Sequence, residues 1–328
     1  MAISTRLQIG DQFDHFQIRY HIARGGMSDI YTAYDLLSRK DVVLKIPDRM
    51  SIGDPAQYER FQRELEVMRT LNHPAIQKGL ASGVYNNTPY LVTELIDGTS
   101  LRNLIGKNDP LKVEDVIILM RKIAEGLLHC HEHGIIHRDL KPENILINFE
   151  GQPIILDFGL ALTKNAHRVT YANLSGAAGT PDFMAPEQIE GHRGDNRTDI
   201  YALGIIFFEL LTGEAPFRGD NHLAVMAQHL KGAIPRLDKL VEGVSPQIAA
   251  IIAKCLQRNP DERYKNLREF IDDLDKPENV DITILNKLTG KTLAISRWRS
   301  PIVVSIGTAL LMLIIMIIIA LILQHIHK

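Results

Sequence analysis

The stretch from Gly134 to Gly159, GIIHRDLKPENILINFEGQPIILDFG, limits what this chain can become more than any other. A loop rich in charged and amide side chains is followed by two short apolar runs, joined by the turn INFEGQ. Such a turn makes a hairpin, and a hairpin brings its two ends together. Asn144, at the start of the first strand, is therefore expected near Asp157, at the end of the second. A carboxylate and an amide oxygen facing one space are hard oxygen ligands, suited to a Mg²⁺ ion that also holds phosphates. Asp139 lies in the loop just before, close enough to reach a substrate hydroxyl near that metal.

Two charges embedded in apolar patterns give a second constraint. In PAQYERFQRELEVMRTLN, Phe61, Leu65 and Met68 share one helical face, and Glu64 sits on the edge of that stripe. Lys45 interrupts the otherwise apolar strand VVLKI. A buried carboxylate is costly unless a cation meets it, which makes Lys45 the natural partner of Glu64. The alternative is that both side chains snorkel to solvent.

The elements around these residues change character along the chain. HFQIRYHIA, DIYTAYDLL, DVVLKIP, GLASGVY and PYLVTEL are strand-like. From Gly98 onward, EDVIILMRKIAEGLLHCHEHG, RTDIYALGIIFFELLTG and SPQIAAIIAKCLQRNP are helical. The expected class is α+β, a small β lobe followed by a larger helical lobe. The apolar run Tyr201 to Leu211 is short and contains Glu209, so it is expected at the buried centre of the second lobe. There is no internal repeat.

In order and spacing, HRDLKPEN (His137 to Asn144), DFG (Asp157 to Gly159), APE (Ala185 to Glu187) and VVLK ending at Lys45 resemble the motifs of eukaryotic-type protein kinases. The resemblance implies the bilobal protein kinase fold over residues 14 to 275, with an N-lobe of 14 to 93 and a C-lobe of 98 to 275. It also implies ATP between the lobes, with Mg²⁺ or alternatively Mn²⁺. Lys45, held by Glu64, would pair with the α and β phosphates, and Asn144 and Asp157 would hold the metal. Asp139 would orient and deprotonate the attacking hydroxyl, and Lys141 would neutralise charge on the transferring phosphoryl group. Lys141 within DLKPEN and Thr180 within GTPDFMAPE resemble serine/threonine kinases, so protein Ser/Thr hydroxyls are the expected acceptors.

The same resemblance implies further roles. Asp199 would brace the catalytic loop, and Arg263 would pair with Glu187. Thr93 would be the gatekeeper, with Glu94 to Ile96 as the hinge that hydrogen-bonds adenine. Arg138 would bind a phosphorylated activation segment. Thr163, Thr170, Tyr171 and Ser175 are candidate acceptors there, with autophosphorylation expected at Thr170 or Ser175.

IARGGMSDIY, residues 22 to 31, precedes a strand and so resembles a hairpin-type kinase loop, not a dinucleotide fold. Ile22, Ala23, Gly25, Gly26, Ser28 and Ile30 would then border ATP. Gly25 fills the middle glycine position, where the backbone must come nearest to phosphate. Ala23 and Ser28 replace the outer glycines with the smallest substitutes available, so binding is expected to persist with modestly altered affinity.

The C-terminal part is of another kind. Pro301 to Leu323 carries no charge, and at ~1.5 Å per helical residue it covers roughly 30 to 35 Å, enough to cross a bilayer. Lys287, Lys291, Arg297, Trp298 and Arg299 precede it, which places the N-terminal part on the cytoplasmic side of a single-pass anchor. Residues 276 to 300 are expected as a juxtamembrane linker, 301 to 323 as a transmembrane helix and 324 to 328 as a short tail. With only QHIHK after the span, no external sensor domain is expected. Ser305 and Ala309 form a small-xxx-small pair that would support a homodimer, or else face lipid. RGGM together with NHPAI resembles bacterial membrane-anchored Ser/Thr kinases, which implies a bacterial cell membrane.

With 37 Lys plus Arg against 39 Asp plus Glu, the net charge of -2 gives no reason to expect a nucleic-acid partner. Cys130 and Cys255 lie far apart without metal-ligand spacing and suit a reducing compartment as buried thiols. The rival function is a pseudokinase scaffold docked at the membrane, which keeps the fold without phosphoryl transfer. A degraded Lys45, Asp139, Asn144 or Asp157 would favour it, and all four are present.

Overall fold

The computed structural model describes residues 7–24, 28–47, 61, 64, 66–106, 111–158, 162–163 and 181–288, all within one compact unit. Six antiparallel strands open the chain: β1 (Gln12–Phe13), β2 (Phe16–Arg24), β3 (Ser28–Asp35), β4 (Lys40–Pro47), β5 (Gly79–Tyr85) and β6 (Thr88–Glu94). They lie in the order β1-β2-β3-β4-β6-β5. Alternate residues of these strands, among them Phe16, Ile18, Tyr31, Ala33, Val42 and Leu44, point inward and make a small apolar core of their own. β5 and β6 are joined through Asn86 and Asn87, with φ of 49° and 60°, the left-handed conformation that a two-residue hairpin turn requires and asparagine tolerates. Residues 61, 64 and 66–70 are helical and precede β5.

β7 (Gly98–Ser100) follows β6 and pairs with β9 (Ile145–Asn148), which in turn pairs with β10 (Pro153–Ile155). Gly98 is needed there, because a Cβ on it would lie 2.4 Å from the Ile147 carbonyl oxygen. β8 (Ile135–Ile136) pairs with β11 (Leu162–Thr163). The helices are α1 (Val113–Glu132), α2 (Pro186–Ile189), α3 (Asn196–Thr212), α4 (His222–Lys231), α5 (Pro246–Cys255), α6 (Leu267–Asp275) and α7 (Ile284–Lys287).

α3 is the axis of this second lobe. Asp195 caps its first turn, Gly213 closes it at φ 77°, and every residue from Thr198 to Leu211 between them is buried. That burial matches the expectation for Tyr201 to Leu211, and a fully enclosed side chain such as Phe207 contributes about 1.5–3 kcal/mol. Gly204 lets α5 approach, since a Cβ there would sit 2.6 Å from Cβ of Cys255. Cys130 and Cys255 are buried free thiols, as expected.

The stretch from Lys276, expected as linker, differs. α7 packs against α5, Leu285 is buried in the helical core, and Arg236 Nη1 donates to the Leu285 carbonyl at 3.3 Å. Val280, Ile284 and Leu288 also lie against that core. The described fold therefore runs to Leu288, past the expected boundary at 275. Among the described residues no helix is long and apolar enough to cross a membrane, and 301–323 lies outside them.

Candidate active site

The loop from His137 to Asn144 hangs from a carboxylate inside the helical core. Asp199 is fully buried; its Oδ1 accepts from the Arg138 amide at 2.8 Å and its Oδ2 from the His137 amide at 2.9 Å. His131 Nε2 meets the same Oδ2 at 2.8 Å. Burial alone would raise the Asp199 carboxyl. The His131 hydrogen bond, the nearby imidazoles and the Arg138 amide outweigh it and hold the group below the usual carboxylate range. Arg138 adopts φ 67°, donates from Nη2 to the Gly194 carbonyl at 3.2 Å, and has its own carbonyl taken by Gln188 Nε2 at 3.0 Å.

This frame presents Asp139. Its amide donates to His137 Nδ1 at 3.3 Å, while His137 Nε2 lies 3.0 Å from the Leu156 carbonyl, a pair of bonds that places the imidazole proton on Nε2. Lys141 Nζ donates to Asp139 Oδ2 at 2.9 Å. Asn144 Nδ2 donates to the Asp139 carbonyl at 2.8 Å and lies 3.3 Å from Oδ2. Asp139, Lys141 and Asn144 thus form one cluster with a partly exposed carboxylate at its centre.

β9 and β10 form the expected hairpin, and the Leu156 amide donates to the Asn144 carbonyl at 2.8 Å. Asp157 follows at φ 58°, and the Phe158 ring is buried 5.1 Å from the His137 ring. From the first lobe, Lys45 on β4 reaches Glu64 through a direct ion pair and Asp157 Oδ1 at 3.3 Å. Both Lys45 and Glu64 are shielded, at 12% and 6% side-chain exposure, so they are partners and not snorkelling chains. Burial would lower the Lys45 ammonium, but the charges of Asp157 and Glu64 raise it, and it stays a cation.

The donors present fit a divalent ion. Asn144 spends its amide nitrogen on Asp139, which leaves its oxygen as the other end of the group, and Asp157 adds a carboxylate two residues past the end of β10. These are hard oxygen donors on either side of the hairpin base.

Ala23 lies opposite Ile30 across β2 and β3, next to a register irregularity between His21 and Ala23. Ile22 and Ala23 are exposed, Ser28 and Ile30 half-buried, and Ile30 is paired with Lys45 on β4. Gly25 and Gly26 lie outside the described residues. Thr93 is buried at the end of β6, followed by Glu94 and the half-buried Ile96. A cleft of about 640 Å³ lies nearby, bordered by His73, Lys78, Glu94 to Asp97 and Phe149, and by none of Lys45, Asp139, Asn144 or Asp157.

Arg263 and Glu187 form a buried two-pronged ion pair, and Thr198 Oγ1 donates to Glu187 Oε1 at 2.9 Å. Thr170, Ser175 and Thr180 lie outside the described residues. His131, Thr198 and Gln188 support the site without having been expected. Only the density of histidines in HCHEHG hinted at the first.

The arrangement defines a two-lobed α+β architecture with a cluster of charged and amide side chains at the base of the β9–β10 hairpin. Residues 16–272 match the protein kinase domain family, and the chain belongs to it. The serine/threonine-protein kinase PknB of Mycolicibacterium smegmatis is 36% identical over 267 residues, covering 80% of this chain and 42% of that protein. The serine/threonine-protein kinase PknL of Mycobacterium tuberculosis is 35% identical over 249 residues, covering 76% of this chain and 62% of that protein. This chain therefore spans roughly half the length of these relatives. A crystal structure of the Mycobacterium tuberculosis PknI kinase domain superposes with a TM-score of 0.65 at 22% identity, over 84% of this chain and 100% of that one, a likeness of fold.

Proposed function

We propose that the chain is a membrane-anchored protein serine/threonine kinase that transfers the ATP γ-phosphoryl group to Ser or Thr hydroxyls and phosphorylates itself. The observation that carries this is the convergence on one hairpin of Lys45 paired with Glu64, Asp157 within 3.3 Å of Lys45, and the Asp139, Lys141 and Asn144 cluster. The names of its relatives support the same activity.

Lys45 would hold the α and β phosphates, its direction set by Glu64. Mg²⁺ or Mn²⁺, when held by Asn144 and Asp157, would supply neutralising charge to phosphate oxygens. Asp139 would orient the acceptor hydroxyl and receive its proton, and Lys141, already beside that carboxylate, would offset charge on the transferring group. Ile22, Ala23, Gly25, Gly26, Ser28 and Ile30 would border the nucleotide, with Thr93, Glu94 and Ile96 along the base. Arg138 would receive a phosphorylated Thr170 or Ser175. We place the kinase domain from about residue 14 to Leu288, a linker at 289–300 and the anchor at 301–323, in a bacterial cell membrane with the kinase domain cytoplasmic. Pairing of two anchors through Ser305 and Ala309 belongs to the same proposal.

The test uses the full chain in detergent micelles, with radiolabelled Mg-ATP and a generic basic protein, beside the Asp139→Asn variant. Label on serine and threonine from the wild type, and at least 100-fold less from the variant, is expected. Equal labelling by both would sink the mechanism, and label on tyrosine alone would overturn the acceptor class. Extraction of the full chain from membranes by alkaline carbonate would overturn the anchor.

A further inference from the structure

Glu94, the first hinge residue, is held from the side of the 75–78 segment by three hydrogen bonds. Its amide donates to the Lys78 carbonyl at 3.1 Å, and its carboxylate Oε1 accepts from the Lys78 amide at 2.8 Å. Its carbonyl accepts from Gln77 Nε2 at 3.0 Å. Gln77 is also tied to the second lobe, since its own amide donates to the Ile155 carbonyl at 3.0 Å. The Ile155 amide in turn donates to the Ala75 carbonyl at 2.9 Å, and Ile76 and Ile155 form a parallel bridge. Ile155 is two residues from Asp157. One half-buried glutamine thus connects the hinge carbonyl to the end of β10, two residues before the proposed metal carboxylate.

The carbonyl matters because of what a purine offers. Adenine presents an amino donor at position 6 and guanine an oxo acceptor, so an acceptor on the protein suits the first and repels the second. A carbonyl oxygen has two lone pairs, and a bond from Gln77 leaves one for a base. The peptide between Glu94 and Leu95 is planar, so turning the Glu94 oxygen away would bring the Leu95 N–H into its place, the donor that a 6-oxo purine needs. Gln77 opposes that turn.

We propose that Gln77 is a positioning residue that fixes the Glu94 carbonyl as the acceptor for the base and thereby sets a preference for ATP over GTP. The inference rests on the kinase function proposed above. Gln77→Leu removes the donor at similar volume, and Gln77→Glu replaces it, at pH 8, with a charge that repels the carbonyl. The measurements are dissociation constants of fluorescent ATP and GTP analogues on the full chain in detergent, KM and kcat for ATP, and the thermal midpoint.

A hydrogen bond of this kind corresponds to about a 2- to 12-fold change in an equilibrium. We expect Gln77→Leu to weaken ATP binding by about 5-fold and to lower the ATP:GTP affinity ratio at least as much, with KM rising and kcat changing less than 2-fold. Gln77→Glu should lose more. Two results overturn the inference alone, with wild type binding ATP: an unchanged ATP:GTP ratio in both variants, or a loss of thermal midpoint with equal losses for both nucleotides, which marks a merely structural role. A wild type that binds neither nucleotide overturns the kinase reading beneath it.

Discussion

Arg263 grips Glu187 with both prongs of its guanidinium, Nη1 to Oε1 and Nη2 to Oε2, each at 2.8 Å, across 76 residues of chain. The Arg263 side chain is wholly buried, and its remaining donors reach the carbonyls of Gln257, Arg197 and Arg258. α2 is thereby fastened to the segment between α5 and α6. Removing one charge would strand the other in the interior. Glu187→Ala or Arg263→Ala should each cost about 3–5 kcal/mol, measured by denaturant unfolding, and the double variant should cost clearly less than the sum.

Lys45→Met would test the contact between lobes. The substitution keeps the length of the side chain and removes the cation that Glu64 and Asp157 share. Phosphoryl transfer is expected to fall at least 100-fold while the circular dichroism spectrum stays that of the wild type. Retained transfer at the wild-type rate would remove Lys45 from the chemistry.

Acid should loosen the connection between the Glu64 helix and β5. The Ala75 amide donates to His73 Nδ1 at 3.1 Å, and the Asn72 amide points at His129 Nε2 at 3.5 Å, so both rings serve as acceptors and must be neutral. His129 also stacks on His73 and lies against His133, with Glu125 and Glu132 as the nearby carboxylates. Burial, and for His129 the two neighbouring imidazoles, lower both rings below the ordinary 6.5. The folded state therefore holds fewer protons than the unfolded chain below about pH 6.5, and the stability these rings contribute is full above that pH and declines as pH falls. A His73→Asn, His129→Gln variant keeps the acceptors without the titration. Unfolding at pH 7.5 and 5.5 should show a smaller loss for the variant; equal losses would contradict the assignment.

Ala23→Gly and Ser28→Gly would place glycine at both outer positions of the proposed nucleotide loop. Both positions are free of tight burial, and Ala23 stands in extended pairing with Ile30. ATP affinity should change by no more than about 5-fold in either variant, since a Gly/Ala difference is worth roughly 0.5–1 kcal/mol of backbone freedom. A 100-fold change in an ATP titration would show that the side chains themselves obstruct or hold the nucleotide.

The residues most legible in the sequence are those whose chemistry clashes with their surroundings. Lys45 in VVLKI and Glu64 on an apolar stripe advertise a need for each other, and the turn INFEGQ brings Asn144 toward Asp157 by hairpin geometry alone. The supporting residues are silent because their partners are distant. His131 meets Asp199 across 68 positions, Gln188 meets Arg138 across 50, and Gln77 meets Glu94 through a side chain that looks like any polar residue at a strand entry. No local period encodes such contacts. The end of the fold was hidden for a related reason. Leu285 and its neighbours fill the flank of a core built elsewhere, and five apolar residues in thirteen, with Ile282 exposed, leave no helical signature.

The suspension of the 137–144 loop from Asp199 has a consequence for the order in which the molecule takes shape. Residues 137 to 144 leave the ribosome well before their anchor, and α3 needs α1 and α5 around it before a carboxylate can sit at its centre. A nascent chain therefore carries the letters of this loop without its shape, which arrives only when the helical lobe has closed behind it.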